Sequence, residues 1–466
     1  MTFDREFRKY LEEAIGTENA RIAFSAFEQS PAISVRLNPS KPGAEFGCGQ
    51  DRIPWCGYGL MLDTRPQFTL DPCLHAGAYY VQDSSSMFTG HVFRHILRSH
   101  TGIGEKNIRV LDLCAAPGGK TTDIAASLRD ICGDRFLLVS NEVIRQRAGI
   151  LADNVSAWGD PNVMVTSSDP ERIGRLKGMF DIIVADVPCS GEGMFRKDPE
   201  AIRQWSPDTV SLCQARQRRI IADIWDALAD GGILIYSTCT FNRYENDLNV
   251  GWICSELGAS PVSGGDAATG DMPGVLKTEY GFLLVPGLVR GEGQYCSAVK
   301  KDGHAPAGAD RKQTRRKDAA RTGKGTSAAG VVSGMFDREM RISERAGEII
   351  AVPETIADDT GEIAAGITVM SSGCAAGSMK GRDFIPSQDL ALSAALSGDA
   401  FQETSLDEAT ALAYLHRDQI NPACPCRGFI RVTYKGLGLG FIKNIGNRCN
   451  NMYPMSRRIR MDIPKQ

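Results

Sequence analysis

Residues 110–122 read Val110-Leu-Asp-Leu-Cys114-Ala-Ala-Pro-Gly-Gly-Lys120-Thr-Thr122. A short apolar strand ends in a small-residue turn with two adjacent glycines, and a helix-compatible run over 121–128 follows at once. This is the anatomy of a nucleotide-type binding turn in a parallel α/β sheet. Glycine lets the backbone approach a ligand closely, and the start of a helix offers unpaired N–H groups.

The letters decide between ligands. A phosphate-cradling loop needs Gly-x-x-x-x-Gly-Lys-Ser/Thr; Gly119-Lys120-Thr121 supplies its end, but the first glycine falls on Cys114. The dinucleotide fingerprint Gly-x-Gly-x-x-Gly is absent, because Gly118 and Gly119 are adjacent. A nucleoside-like cofactor without a polyphosphate remains. Asp112, at the strand end, repels phosphate and suits a cationic or amine-bearing ligand. S-adenosylmethionine has that character.

A chain of 466 residues has room for roughly three domains of ~150 residues, each with its own core. Its 42% apolar and 23% charged content is that of a soluble globular protein. The N-terminus is charged from its fourth residue, and no apolar run is long enough to span a bilayer, so the expectation is a cytoplasmic protein without a membrane partner. Fourteen scattered cysteines with no secretory signal are expected to be reduced thiols. Cys424-Pro-Cys426 is the one close pair, and without a second pair it reads as two half-buried residues near a turn, so no metal site is expected.

The net charge of -3 conceals segregation: residues 417–466 carry ten Lys/Arg against two Asp/Glu, and residues 351–411 carry two against ten. A basic tail of this kind suits a polyanionic partner, and a solvated basic face without a partner is the plain alternative.

Five units follow along the chain: an N-terminal lobe (1–100), a parallel α/β domain (101–301), a basic flexible linker or arm (302–334), a small α/β domain (335–410) and a glycine-punctuated β-rich end (411–466). In the lobe, helical patterns around 7–15 and 20–27 precede an extended piece over 33–37, and Ser84 to Ser86 are candidate caps for a helix running to Leu97. Aromatic and polar residues over 77–87 either cover a cofactor or simply pack. In the α/β domain, strands are expected near 109–114, 136–141, 162–166, 181–186 and 232–238, with helices over 145–158 and 209–229 and an antiparallel edge from 282–285 and 295–299. Ligands of a doubly wound sheet collect at the carboxyl ends of its strands.

Three carboxylates stand at those ends. Glu142 ends the second strand, 23 residues after Gly119, near the spacing at which a carboxylate reads a ribose diol. Asp169 follows the third strand, within reach of an adenine amino group, and Asp186 ends the fourth. Asp186-Val-Pro-Cys189-Ser-Gly and Ser237-Thr-Cys239-Thr then bring two thiols to neighbouring strand ends, facing one crevice beside the cofactor. A thiolate beside a methyl donor answers one need. Carbon 5 of a pyrimidine is a poor nucleophile until a thiolate adds to carbon 6 and makes the ring enamine-like. Asp186 can then hydrogen-bond a ring nitrogen or exocyclic amine of cytosine, while Lys120 either holds the constellation or stabilises the loop. The residues leave the choice between the two thiols open.

At these motifs, Cys114-Ala-Ala-Pro-Gly-Gly-Lys120, Asn141-Glu142, Asp169-Pro170, Asp186-Val-Pro-Cys-Ser-Gly-Glu-Gly-Met-Phe-Arg-Lys197 and Ser237-Thr-Cys-Thr-Phe-Asn242, the chain resembles the Fmu/Sun (nucleolar protein) family of RNA (cytosine-5) methyltransferases, on the side of its bacterial small-subunit ribosomal RNA methyltransferase F branch. The resemblance implies a Rossmann-like class I S-adenosylmethionine methyltransferase domain with an N-terminal α/β lobe and a C-terminal PUA-like β-barrel region. It implies Cys239 as nucleophile and a product-release role for Cys189. It also implies cofactor contacts from Cys114, Ala115, Ala116, Pro117, Gly118, Gly119, Lys120, Glu142, Asp169 and Asp186. Ser34-Val-Arg-Leu-Asn-Pro39 resembles the RNA-facing lobe, Gly291-Glu-Gly-Gln-Tyr295 closes the catalytic fold, and 427–460 resembles a PUA-like RNA-binding module. Val187 stands where the family usually has alanine, Arg243-Tyr244 replace its usual Pro-Glu, and 302–334 has no clear counterpart.

The expected function is formation of 5-methylcytosine in RNA, ribosomal RNA first and transfer RNA as the alternative. A ribosome-assembly factor that keeps the fold without catalysis predicts RNA binding independent of cofactor, and a nucleotide hydrolase is disfavoured by Cys114.

Overall fold

The computed structural model describes residues 3–99, 106–262, 272–303, 327–424 and 426–463. Ten strands form its central sheet, in the order Leu276–Lys277, Gly281–Leu284, Gln294–Lys301, Leu228–Thr238, Phe180–Asp186, Ile108–Asp112, Phe136–Asn141, Val163–Thr166 and Val369–Ser372, with Ala259–Pro261 paired to Gln294–Lys301. The five middle strands are parallel, registered so that Val110 lies between Leu138 and Ile182, and Asp186 pairs with Ser237. The strands nearest the C-terminal edge of the domain run antiparallel, as the two final apolar runs lead one to expect.

Alternation in a strand sends successive side chains to opposite faces, and here both faces are buried. Leu111, Leu137, Val139 and Ile183 enter one core with Phe7, Leu11 and Phe27 of the N-terminal helices. Val110, Leu138, Val165 and Ile182 enter the other, with Phe88, Phe93 and Leu97 of the helix Phe88–Ser99. This explains why the strands read as continuous apolar runs rather than as alternating ones.

The helix Pro207–Ile224 begins two residues before the expected start because Ser206 caps it by accepting from Thr209 N. It ends sooner than expected because Leu228 already enters a strand that runs to Thr238. Ser84 to Ser86 do not cap the following helix: the Ser84 hydroxyl donates instead to the Arg290 carbonyl.

In the lobe, the helices Arg5–Ile15 and Thr17–Phe27 turn at Gly16, whose φ of 78° suits glycine. A four-stranded sheet follows, ordered Gln50–Ile53, Cys56–Leu62, Ile33–Leu37 and Tyr79–Val81. Phe3, Phe7 and Phe27 pack around Phe195, and Phe7 and Tyr10 meet Trp205, so the first helices grip the segment that follows Cys189.

Most of the expected linker, residues 304–326, lies outside the described residues. Its end forms a short helix, Ser327–Val332, with Val332 buried among Phe336, Leu390 and Phe441. The segment 335–410 does two things that composition did not indicate. Its strand Val369–Ser372 joins the central sheet beside Val163–Thr166, and Glu403–Ser405, upstream of residue 411, pairs parallel with Gly428–Tyr434. The final sheet therefore has four strands, Glu403–Ser405, Gly428–Tyr434, Leu437–Asn444 and Cys449–Asn451.

Candidate active site

The glycine turn lies at the carboxyl end of Ile108–Asp112. Gly118 adopts φ 117° and no side chain caps the helix Gly119–Cys132 that follows. Its carbonyls are held from three sides: Arg147 donates to Ala116 O, Asn154 to Pro117 O, and Arg36 of the lobe to Gly119 O. The loop's carbonyls are thus tied down, while no side chain caps its helix start. Asp112 is fully buried; the Thr121 hydroxyl donates to its Oδ2 at 2.6 Å, and its Oδ1 has no partner. Burial, with Asp186 and Glu142 nearby, pushes its carboxyl up to about 7 against the opposing Thr121 bond. An orphaned buried acceptor beside an uncapped helix start fits a ligand that carries both an amine and an anionic group.

Lys120 leaves this helix to donate to Asp186 Oδ2 at 2.9 Å and to Ser86 Oγ at 3.0 Å. Burial lowers its pKa, but Asp186, with a smaller contribution from Cys239, outweighs that and raises it, so Lys120 is a cation here. Asp186 Oδ1 accepts from Ser237 at 2.8 Å and Gln294 at 3.2 Å.

Beyond Asp186 the chain turns so that Cys189 Sγ stands 3.2 Å from Cys239 Sγ. The hydrogen bond to Cys239, together with burial, pushes the Cys189 thiol well above its ordinary range, and either sulfur can be the donor of the contact. Gly193 makes the approach possible. Its N–H donates to Cys239 O at 2.7 Å, and a Cβ there would lie 2.6 Å from that oxygen.

Glu142 is buried, accepts from Ile144 N at 2.9 Å and pairs with the half-exposed Arg147 at 3.0 Å. Asp169 is exposed and caps its own short helix by accepting from Glu171 N. Neither touches the Lys120–Asp186 group. Cys114 is held as a thiol by burial next to Asp186 and Asp112.

The sequence reading missed a second layer. Glu192 accepts from Trp205 Nε1, Phe241 N and Asn242. Glu245 accepts from Ser190 N, Gln217 and Asn242. Burial, with Glu192 beside it, pushes Glu245 up to about 7 against these hydrogen bonds. Asn242, Glu192, Ser237 and Gln294 stood inside the quoted motifs, whereas nothing marked Gln217, a buried glutamine in a helix. The unusual Arg243-Tyr244 pair has partners as well: Arg243 with Glu279 at 3.7 Å, and Tyr244 against the Tyr10 ring at 4.8 Å.

Residues 103–258 match the family described as 16S rRNA methyltransferase RsmB/F, residues 3–84 the N-terminal domain of 16S rRNA methyltransferase RsmF, and residues 401–459 the methyltransferase RsmF PUA domain. Ribosomal RNA small subunit methyltransferase F of Escherichia coli O157:H7 is 30% identical over 97% of this chain and 96% of its own length. The chain belongs to the ribosomal RNA small subunit methyltransferase F family. The same enzyme from Salmonella newport is 31% identical over 92% of this chain and 91% of its own. Among solved structures, PH0851 is 21% identical with a TM-score of 0.54, covering 64% of this chain and 66% of that one. NSun6 from Pyrococcus horikoshii with SFG is 17% identical with a TM-score of 0.50, covering 65% and 99%. These two share the fold. As a member of the family the protein is a methyltransferase.

Among the described residues no helix is long and apolar enough to cross a membrane, and no cluster of three or more His, Cys, Asp or Glu is arranged to hold a metal ion.

Proposed function

We propose that this enzyme methylates carbon 5 of a cytosine in small-subunit ribosomal RNA, with Cys239 as the nucleophile. The observation that carries the reading is the 3.2 Å contact between two thiols at neighbouring strand ends, beside the Lys120–Asp186 pair. Relatives named for ribosomal RNA of the small subunit, similar over nearly the whole chain, support the substrate class.

S-adenosylmethionine, when bound, supplies an electrophilic methyl group; Asp112, the 114–120 turn, Glu142 and Asp169 are the residues to hold it. The Cys239 thiolate forms a bond to C6 of the cytosine, and the displaced π electrons make C5 nucleophilic. Asp186, oriented by Lys120, Ser237 and Gln294, hydrogen-bonds the base where charge develops. After methyl transfer the C5 proton passes to water, the C5–C6 double bond re-forms, and the C6–S bond breaks. Cys239 leaves as a thiolate, stabilised by the S–H of Cys189.

Bisulfite sequencing of ribosomal and transfer RNA from a deletion strain and its parent tests the substrate. The expected outcome is one methylated cytosine lost from small-subunit ribosomal RNA and restored by the wild-type gene but not by Cys239→Ala. Loss confined to transfer RNA would overturn the assignment.

A further inference from the structure

Glu245 lies on the loop after Cys239 and is fully buried, yet among the described residues it has no cationic partner. All three side-chain contacts of its carboxylate are donors. Ser190 N donates to Oε2 at 3.0 Å, Gln217 Nε2 to Oε2 at 2.7 Å, and Asn242 Nδ2 to Oε1 at 2.9 Å. Ser190 follows Cys189 directly. The same Gln217 amide donates to Pro188 O at 2.9 Å, so the residues on both sides of Cys189 are tied to one carboxylate. Gln217 is not free to turn over, because its Oε1 already accepts from Asn249 at 2.7 Å and Tyr236 at 3.2 Å. The carboxylate belongs to the loop that carries Cys239, and what it grips is the loop that carries Cys189.

We infer that Glu245 is a positioning residue that, through Ser190 N and Gln217, sets the Cys189 thiol against Cys239 and so governs release of the enzyme from methylated RNA. The inference rests on the covalent reading above. Cys189 donates to the departing sulfur as the C6–S bond breaks and the C5–C6 double bond re-forms, so displacing it slows that step while leaving the first addition possible. Glu245→Ala cuts both links at once, because Ser190 N and Gln217 Nε2 share the Oε2 acceptor, whereas a glutamine carbonyl in the Oε2 place would keep them. Glu192 does not substitute, since it accepts from Trp205 Nε1, Phe241 N and Asn242.

The test incubates full-length wild type, E245A, C189A, C239A and E245A/C239A with unmethylated small-subunit ribosomal RNA and S-adenosylmethionine, and measures enzyme–RNA adducts on denaturing gels. Cofactor affinity is measured alongside. We expect E245A, like C189A, to accumulate adduct about tenfold or more over wild type, with S-adenosylmethionine affinity unchanged and no adduct in the double variant. Q217M, which cuts one of the two links, provides a second route if E245A folds poorly, and is expected to shift adduct in the same direction. Folded E245A or Q217M that loses methylation without accumulating adduct, or that behaves as wild type, would overturn the positioning role. Failure of the covalent reading is separately visible: wild type would then form no adduct on RNA containing 5-fluorocytosine, from which the C5 substituent cannot leave as a proton, and C189A would form none on ordinary RNA.

Discussion

Cys189 and Cys239 meet sulfur to sulfur at 3.2 Å, although 50 residues separate them in the chain. The contact follows from strand register. Phe180–Asp186 and Leu228–Thr238 are adjacent and parallel with Asp186 opposite Ser237, so chains leaving both strands enter the same crevice. Val187 N donates to Ser237 O at 3.0 Å and extends that pairing one residue beyond the strand.

The two thiols are expected to fail differently. Cys239→Ala removes the nucleophile, so methyl transfer should fall to background and no adduct should form. Cys189→Ala keeps the nucleophile and removes the donor to the departing sulfur, so a covalent enzyme–RNA species should build up. Mass spectrometry of the adduct should place the bond on Cys239. A Cys239→Ala enzyme that methylates RNA at the normal rate would sink the mechanism.

Asp186 has four polar contacts to lose or misdirect: Lys120, Ser237 and Gln294 in the protein, and the base in the proposed complex. Asp186→Asn should lower kcat about a hundredfold or more, the scale at which removing one oriented electrostatic group acts. Because Lys120 works through the same carboxylate, adding Lys120→Met should cost much less than it does alone. Strict additivity in single-turnover rates would mean that the two act independently.

Asp112 makes stability depend on pH. Its carboxyl is raised to about 7 in the native protein, so the folded state holds the proton more tightly than the unfolded chain. Its contribution is complete below the unfolded value of about 4 and is lost as pH rises through 7. Asp112→Asn lacks that slope. Between pH 4 and pH 8 urea unfolding should show the variant gaining on wild type, by up to about 4 kcal/mol. An unchanged difference across that range would contradict the burial argument.

Gly193 is fixed by space rather than by dihedral preference. A Cβ would meet Cys239 O at 2.6 Å and Glu292 O at 3.1 Å, both backbone atoms of separate segments. Gly193→Ala should therefore push the two cysteine loops apart, costing about 1–3 kcal/mol in thermal or urea unfolding, the usual range for overpacking. Methyl transfer should fall further than the stability loss explains. Normal activity with normal stability would show that the approach is not required.

The sheet was legible in the chain because buried parallel strands need unbroken apolar runs, and 136–141 and 180–186 supply them. The turn at 110–122 was legible because only small residues allow such an approach, and its failure to match either phosphate pattern narrowed the ligand. The motif residues Lys120, Asp186, Cys189 and Cys239 could be named for the same reason: strand ends are where a doubly wound sheet exposes side chains. What stayed hidden depends on contacts distant in sequence. Nothing near Gln217 marks a glutamine that bridges Pro188 O and Glu245, since helical spacing treats it as an ordinary polar position. Nothing in 369–372 says that it adds to an edge formed by 163–166, because an edge strand's partner is chosen by hydrogen-bond geometry between segments rather than by its own letters. The sequence by itself determined the chemistry available, a glycine turn, three carboxylates and two thiols. Only the tertiary structure decided that Cys189 and Cys239 meet sulfur to sulfur and that Asp112 is left with a buried, unpartnered oxygen, because both depend on neighbours brought in from other strands.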